Sequence, residues 1–268
     1  MIMRRAQPPR RILALSSQVA YGHVGLSAAV PVLQQLGCAV TALPTILLSN
    51  HPGWPHVSGR QVPVTELDAM IDALDANGWL STHDTILTGY LPSPDHVALA
   101  ARLIDRMRDR VEGLRAVVDP VLGDAPKGLY INEGAATAIR SDLVARADVL
   151  TPNAFELSWL TGLPTDAIVA TAAAARILPC HVLTTSAPAG PGRTGVLDTT
   201  PDTAILVDMP LRDSVPNGVG DVFSALVAAG DETGQALGRL KTLIEASLGA
   251  DHLRIVEAAG AWTIADPL

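Results

Sequence analysis

Val215-Pro216-Asn217-Gly218-Val219-Gly220-Asp221-Val222-Phe223-Ser224-Ala225-Leu226 is the stretch around which the rest of the chain is read. Pro216 and two glycines spaced one apart predict a turn, and the apolar run behind them predicts a helix from about Val222. A turn of this kind sits on a helix N-terminus. Unpaired N–H groups and the positive end of the helix dipole make an anion hole there, and glycine lets an anion come close.

Asp221 then has two readings. It can be a plain N-cap, with Gly218 and Gly220 only shaping the turn. Alternatively it takes a proton from a hydroxyl while the hole holds the charge that builds on a transferring phosphoryl group, which points to a kinase. The stretch is not a Walker loop, because no Gly-Lys-Ser/Thr follows, and it contains no G-x-G-x-x-G.

Working outward, short apolar segments that end in small polar residues recur along the chain. Arg11 to Ser17 predicts a buried strand, Val24 to Leu36 a helix closed by Gly37, and Ala39 to Leu43 a second strand. Thr65 to Asn77 has helical spacing, Thr85 to Leu91 reads as a strand opening into a Pro-rich turn, and His96 to Arg110 as a charged amphipathic helix. Further strands are expected at Leu114 to Asp119, Asp148 to Thr151 and Val182 to Ser186, and Val196 to Met209 adds candidate antiparallel edge strands. Strands alternating with helices predict an α/β fold with a central, mostly parallel sheet covered by helices on both faces. No linker divides the 268 residues, so a single domain is expected over 1–268, with Met1 to Arg10 as a frayed start.

Open α/β sheets bind ligands beyond the C-terminal ends of their strands. Ser17 lies at such an end, where it either faces a substrate or caps the next segment. Tyr90 lies at another, in the bend between Gly89 and Pro92, although packing is a tyrosine's default role. Asp119-Pro-Val-Leu-Gly-Asp124 puts two carboxylates just past a strand tip, suited to magnesium or simply to a turn. Glu156 follows Thr151-Pro152 at a helix start, where it either serves the site or only complements the helix dipole. Thr45 to Pro63 reads as a long loop, hence a lid or binding loop. Its His51 and His56 lack carboxylate or thiolate companions at ligand spacing, which argues against zinc.

The composition is that of a folded soluble protein, with 48% hydrophobic and 17% charged residues. A formal charge of -8 without a basic stripe argues against nucleic-acid or anionic-membrane partners. Cys38 and Cys180 have no metal-ligand spacing, and no apolar run reaches membrane-spanning length. A reduced, cytoplasmic protein is expected.

Together these motifs resemble the pyridoxal kinases of the ribokinase-like superfamily, over about Ile12 to Val256. The superfamily signature is Gly218-Val219-Gly220-Asp221. Markers closer to the family are Ser17 with Tyr21-Gly22-His23-Val24-Gly25, Leu48-Ser49-Asn50-His51, Thr88-Gly89-Tyr90, Asp119 to Asp124, Thr151-Pro152-Asn153 with Glu156, and Leu253-Arg254-Ile255-Val256.

The resemblance implies that Asp221 deprotonates the 5′-hydroxyl of pyridoxal, while Gly218, Val219 and Gly220 cradle the γ-phosphate of ATP. It implies Asn153, Glu156, Thr184 and Thr185 on the nucleotide side. Asp124 and Glu156 would stand near Mg2+, and Asp119, Thr151 and Thr184 match positions for a monovalent cation such as K+. Ser17, Val24, His51 and Tyr90 match the vitamin pocket, and the family is typically a homodimer.

Gln18, Leu26 and Pro52 depart from the family pattern, which bears on pocket affinity. Val219 replaces the commoner threonine at a place that uses its backbone N–H. Two other readings stand beside this one, a hydroxymethylpyrimidine-type kinase and a pyridoxal-binding protein with poor turnover.

Overall fold

The computed structural model describes residues 10–268, so most of the expected frayed start lies outside the described residues. Arg10, its last residue, already accepts the Ala39 N–H at 2.9 Å. The first half of the chain runs β1 (Arg11–Val19), α1 (Leu26–Gln35), β2 (Ala39–Leu48), β3 (Gly59–Gln61), α2 (Val64–Ala76), β4 (Thr85–Thr88), α3 (Pro94–Arg108) and β5 (Arg115–Val118). A small hairpin of β6 (Gly123–Asp124) and β7 (Gly128–Leu129) follows, then α4 (Glu133–Ala138), β8 (Val149–Leu150), α5 (Ala154–Thr161) and α6 (Ile168–Arg176). The chain continues through β9 (His181–Ala187), β10 (Arg193–Thr199), β11 (Ala204–Pro210), α7 (Val219–Ala229), α8 (Thr233–Ser247) and α9 (Ala259–Trp262).

The main sheet has nine strands in the order β11-β10-β9-β8-β5-β4-β1-β2-β3. The run from β9 to β2 is parallel, and β3, β10 and β11 are antiparallel additions at the two edges. This is the mostly parallel sheet that the alternation of elements predicts, and it agrees with the ribokinase-like fold that the resemblance implies. Burial on both faces explains why the inner strands are continuous apolar runs. In β1, Leu13 and Leu15 pack on the face covered by α2, α3 and α4, while Ile12 and Ala14 pack against α1, α7 and α8. Ile86 and Leu87 of β4 divide in the same way, as the period of two requires. At β9, Val182 packs with Leu157, Ala174 and Ala175 of α5 and α6, and Leu183 faces the α7 and α8 side.

One expectation needs correction. Thr45 to Pro63 is not a continuous loop: β2 runs on to Leu48 and pairs with β3, leaving 49–58 and 62–63 irregular. Pro44 reads as a strand end, but β1 shifts register between Ser16 and Gln18 beside it, and such an irregularity is where a strand tolerates proline. The segment 125–147, which shows no clear period, forms β7, α4 and a π turn at Ile139–Leu143. Its readable signal is Asn132, whose side chain caps α4 by accepting the Ala135 N–H at 3.2 Å.

Candidate active site

α7 begins three residues earlier than its apolar run suggests. Gly218 is the N-cap, with φ 101°, and Asp221 stands inside the first turn, so the plain N-cap reading of Asp221 falls. A side chain at Gly218 would be strained by the positive φ, and its Cβ would lie 1.9 Å from the His23 carbonyl oxygen. Beside Gly220 the space is open. The turn is thus clamped on one side and accessible on the other, as an anion hole must be.

Gly25 fixes the opposite wall. With φ 55°, it brings the loop after β1 back onto Ser17, so close that a Cβ would lie 2.2 Å from Ser17 Oγ. Its N–H also reaches the Asp221 carboxylate. Burial pushes that carboxyl up to about 6, against the pull of the N–H groups of Gly25 and of Asp221 itself. A base poised there works near neutral pH.

The acidic centre is held by hydrogen bonds between elements far apart in sequence. Glu156 is 4% exposed and forms a capping box with Asn153, accepting its N–H at 2.8 Å. Its other oxygen accepts the Leu122 N–H at 2.9 Å. Burial lifts its carboxyl to about 7, opposed by the N–H groups of Asn153, Leu122 and Gly123 and reinforced by the Asp124 charge. Asn153 Nδ2 donates to the Gly123 carbonyl at 2.8 Å, tying α5 to the β6–β7 hairpin. Asp119 is buried and held well above the usual carboxylate range by desolvation and then by the charges of Glu156 and Asp221.

Ser224, on α7, donates to Asp119 Oδ2 at 2.8 Å. Its single proton is then spent, so Thr151 Oγ1, also 2.8 Å away, donates to Ser224. One serine thereby joins α7 to the ends of β5 and β8.

Asp119, Asp124, Thr151, Asn153, Glu156 and the turn from Gly218 to Asp221 line one cavity of about 970 Å3, at the upper end of the range for small-molecule sites, with Ser224 behind its wall. Of the residues singled out in the sequence, Ser17, Val24, His51, Tyr90, Asp119, Asp124, Thr151, Asn153, Glu156, Thr185, Gly218, Val219, Gly220 and Asp221 line it. Thr184 does not; it is fully buried behind the wall, and its Oγ1 has no partner among the described residues. Of the three departures from the family pattern, only Pro52 lines the cavity; Leu26 is packed in the core and Gln18 is exposed.

Sequence reasoning missed Ser224, although it stands three residues after Asp221 on the same helix. It also missed Tyr130, which follows the unread hairpin and lines the cavity. Desolvation, and then the charges of Glu156, Asp119, Asp124 and Asp221, hold the Tyr130 phenol protonated.

Asp124 Oδ1 is buried without a partner among the described residues. No group of three or more His, Cys, Asp or Glu side chains forms a metal cage among those residues. An orphaned hard oxygen without a cage suits Mg2+, which takes one or two carboxylates and completes its shell with phosphate and water.

A carboxylate beside an open anion hole, at the strand ends of this sheet, defines the chain as a small-molecule kinase of the ribokinase-like class. The sequence model of the phosphomethylpyrimidine kinase family matches residues 21–249. A pyridoxine/pyridoxal/pyridoxamine kinase of Bordetella pertussis is 38% identical over 85% of this chain and 83% of its own length. A pyridoxal kinase of Corynebacterium diphtheriae is 32% identical over 96% of both chains. Among solved structures, pyridoxal kinase from Leishmania donovani in complex with ADP and pyridoxamine superposes with TM-score 0.87 at 28% identity, covering 97% of each chain. The pyridoxal kinase from Entamoeba histolytica gives 0.88 at 25% identity, again over 97% of each. The chain belongs to the pyridoxal kinase family.

Proposed function

We propose that the protein transfers the γ-phosphoryl group of ATP to the 5′-hydroxymethyl group of pyridoxal, giving pyridoxal 5′-phosphate, and that the chain works as one kinase domain. The observation that carries this reading is the position of Asp221, inside the first turn of α7 and in one cavity with both Gly218–Gly220 and Ser17. Asp221 takes the proton of the acceptor hydroxyl, and the N–H groups at Val219 and Gly220 hold the charge on the transferring phosphoryl. Ser17, Val24, His51 and Tyr90 bound the vitamin end; Asn153 and Thr185 stand on the nucleotide side.

Mg2+ would be held through Asp124, with Glu156 behind it, and would supply neutralisation of phosphate charge when bound. Asp119, Thr151 and the orphaned Thr184 oxygen offer donors of the kind a monovalent cation such as K+ takes. No helix of the described residues is long and apolar enough to cross a membrane, and we place the enzyme in the cytoplasm as a homodimer. Sedimentation velocity checks the dimer.

The family description supports a second reading, a hydroxymethylpyrimidine kinase. Steady-state turnover with magnesium ATP and either acceptor separates the two. Turnover on pyridoxal that is lost in Asp221→Asn supports the first reading, and turnover confined to the pyrimidine supports the second. Binding of pyridoxal without turnover would overturn both.

A further inference from the structure

The chain has only two lysines, Lys127 and Lys241, against seventeen arginines, and both lysines line the cavity. Among the described arginines, only Arg212 joins them there. Arg212 and Lys241 share one carboxylate, Glu245, at 3.1 and 3.7 Å. Lys127 is differently placed. It stands at the turn of the β6–β7 hairpin, three residues after Asp124, with its side chain 76% exposed and its ammonium 3.9 Å from Asp124 Oδ2.

That contact is long, solvated and weak. A divalent cation on the free Oδ1 would weaken it further, because the two positive charges would repel each other across one carboxylate. Burial and then the Lys127 charge hold His51 below its ordinary value, so the same ammonium is felt at the vitamin end. The cavity gathers Asp119, Asp124, Glu156 and Asp221, and a nucleoside triphosphate adds more negative charge. A mobile cation at that junction is electrostatically directed onto the phosphate.

We propose that Lys127 is a phosphate-binding residue of this site, which leaves Asp124 when the metal–nucleotide enters and settles on the transferring phosphoryl group. The proposal rests on the kinase reading above. A lysine suits the task better than a fork-shaped arginine, since it acts as a point charge on a flexible stem.

Isotope-labelled reductive methylation of the full-length protein yields just two lysine NMR signals besides the N-terminus, and Lys127→Arg assigns them. With Mg2+ present, the Lys127 signal is expected to move on adding a non-hydrolysable ATP analogue and to move much less with ADP. Calorimetry is expected to show that Lys127→Met weakens the analogue about ten-fold and ADP less than two-fold, with Lys127→Arg recovering most of the loss. Turnover of Lys127→Met is expected to fall roughly a hundred-fold.

Equal signal shifts with both nucleotides, or equal binding losses, overturn the proposal. So does an effect confined to pyridoxal. Failure of the unsubstituted protein to bind either nucleotide would instead sink the kinase reading and this proposal together. Normal nucleotide binding that Lys127→Met leaves unchanged removes the proposal alone.

Discussion

The two ends of the cavity are built differently. At the end we assign to the phosphoryl group, Asp119, Thr151, Ser224, Asn153 and Glu156 are held by hydrogen bonds of 2.8 Å or close to it, and most are buried. At the end we assign to the acceptor, Ser17, Val24, His51 and Tyr90 are half-buried and Pro52 is exposed, with Val19, Ile46 and Leu48 beside them in the lining. One end fixes charge and the other fixes shape. Changes at the first should therefore alter chemistry and folding, and changes at the second should alter which acceptor is held.

The sharpest way to break this contrast is Asp221→Asn. Turnover is expected to fall by roughly 10²–10⁴-fold while magnesium-ADP affinity stays within two-fold, read by steady-state kinetics and calorimetry. A rate near that of the unsubstituted enzyme would remove the base from the phosphoryl end.

Gly218→Ala comes next. It combines a positive φ with a carbonyl oxygen 1.9 Å from the new Cβ, so more than about 1 kcal/mol of stability should be lost. Thermal unfolding checks it, and an unchanged melting temperature would mean that the turn is not clamped. Ser224→Ala leaves Asp119 and Thr151 without their shared partner, at a cost of about 1–3 kcal/mol in denaturant unfolding. A similar loss from Ser17→Ala would erase the difference between the ends.

Proton linkage offers a gentler test. Asp221 and Glu156 hold their protons more tightly when folded, to about 6 and about 7, than their ordinary values of 3.8 and 4.5. Between those values the folded state binds more protons than the unfolded state, so stability without nucleotide falls as pH rises from about 4 to 7. Activity runs the opposite way. kcat/KM should climb about ten-fold per unit below pH 6 and then level, because Asp221 must be ionised to accept a proton. A flat profile between pH 5 and 7 would separate the base from Asp221. The smallest effect is expected from Pro52→Thr, which should lower KM for pyridoxal by no more than about ten-fold without changing kcat, since one added hydroxyl is worth about 1 kcal/mol.

The phosphoryl end was also the more legible one in the sequence. Gly218 to Asp221, Asp119 to Asp124 and Asn153 with Glu156 are local motifs whose backbone demands show in the residue types. The parallel sheet was legible because its buried strands are short apolar runs set between helices. Ser224 was hidden because a buried serine on an apolar helix looks like a small core residue until the acid across from it is known. Tyr130 and Lys127 lie on a hairpin of two-residue strands, too short for any period to show. β3 escaped notice because Pro44 mimics a strand end, and only the register shift in a neighbouring strand reveals that it is not one.

The clamp between Gly218 and the His23 carbonyl, with His23 itself hydrogen-bonded to the Leu253 carbonyl, joins the loop after β1 to the start of α7 and to the segment after α8. During synthesis, Ser17 and the central strand β1 are made some two hundred residues before Gly218 to Asp221 and α7. A nascent chain still short of that helix has an acceptor wall but no means of transfer. The cavity is therefore complete only once α7 and the segment at Leu253 have folded back onto the loop that follows β1.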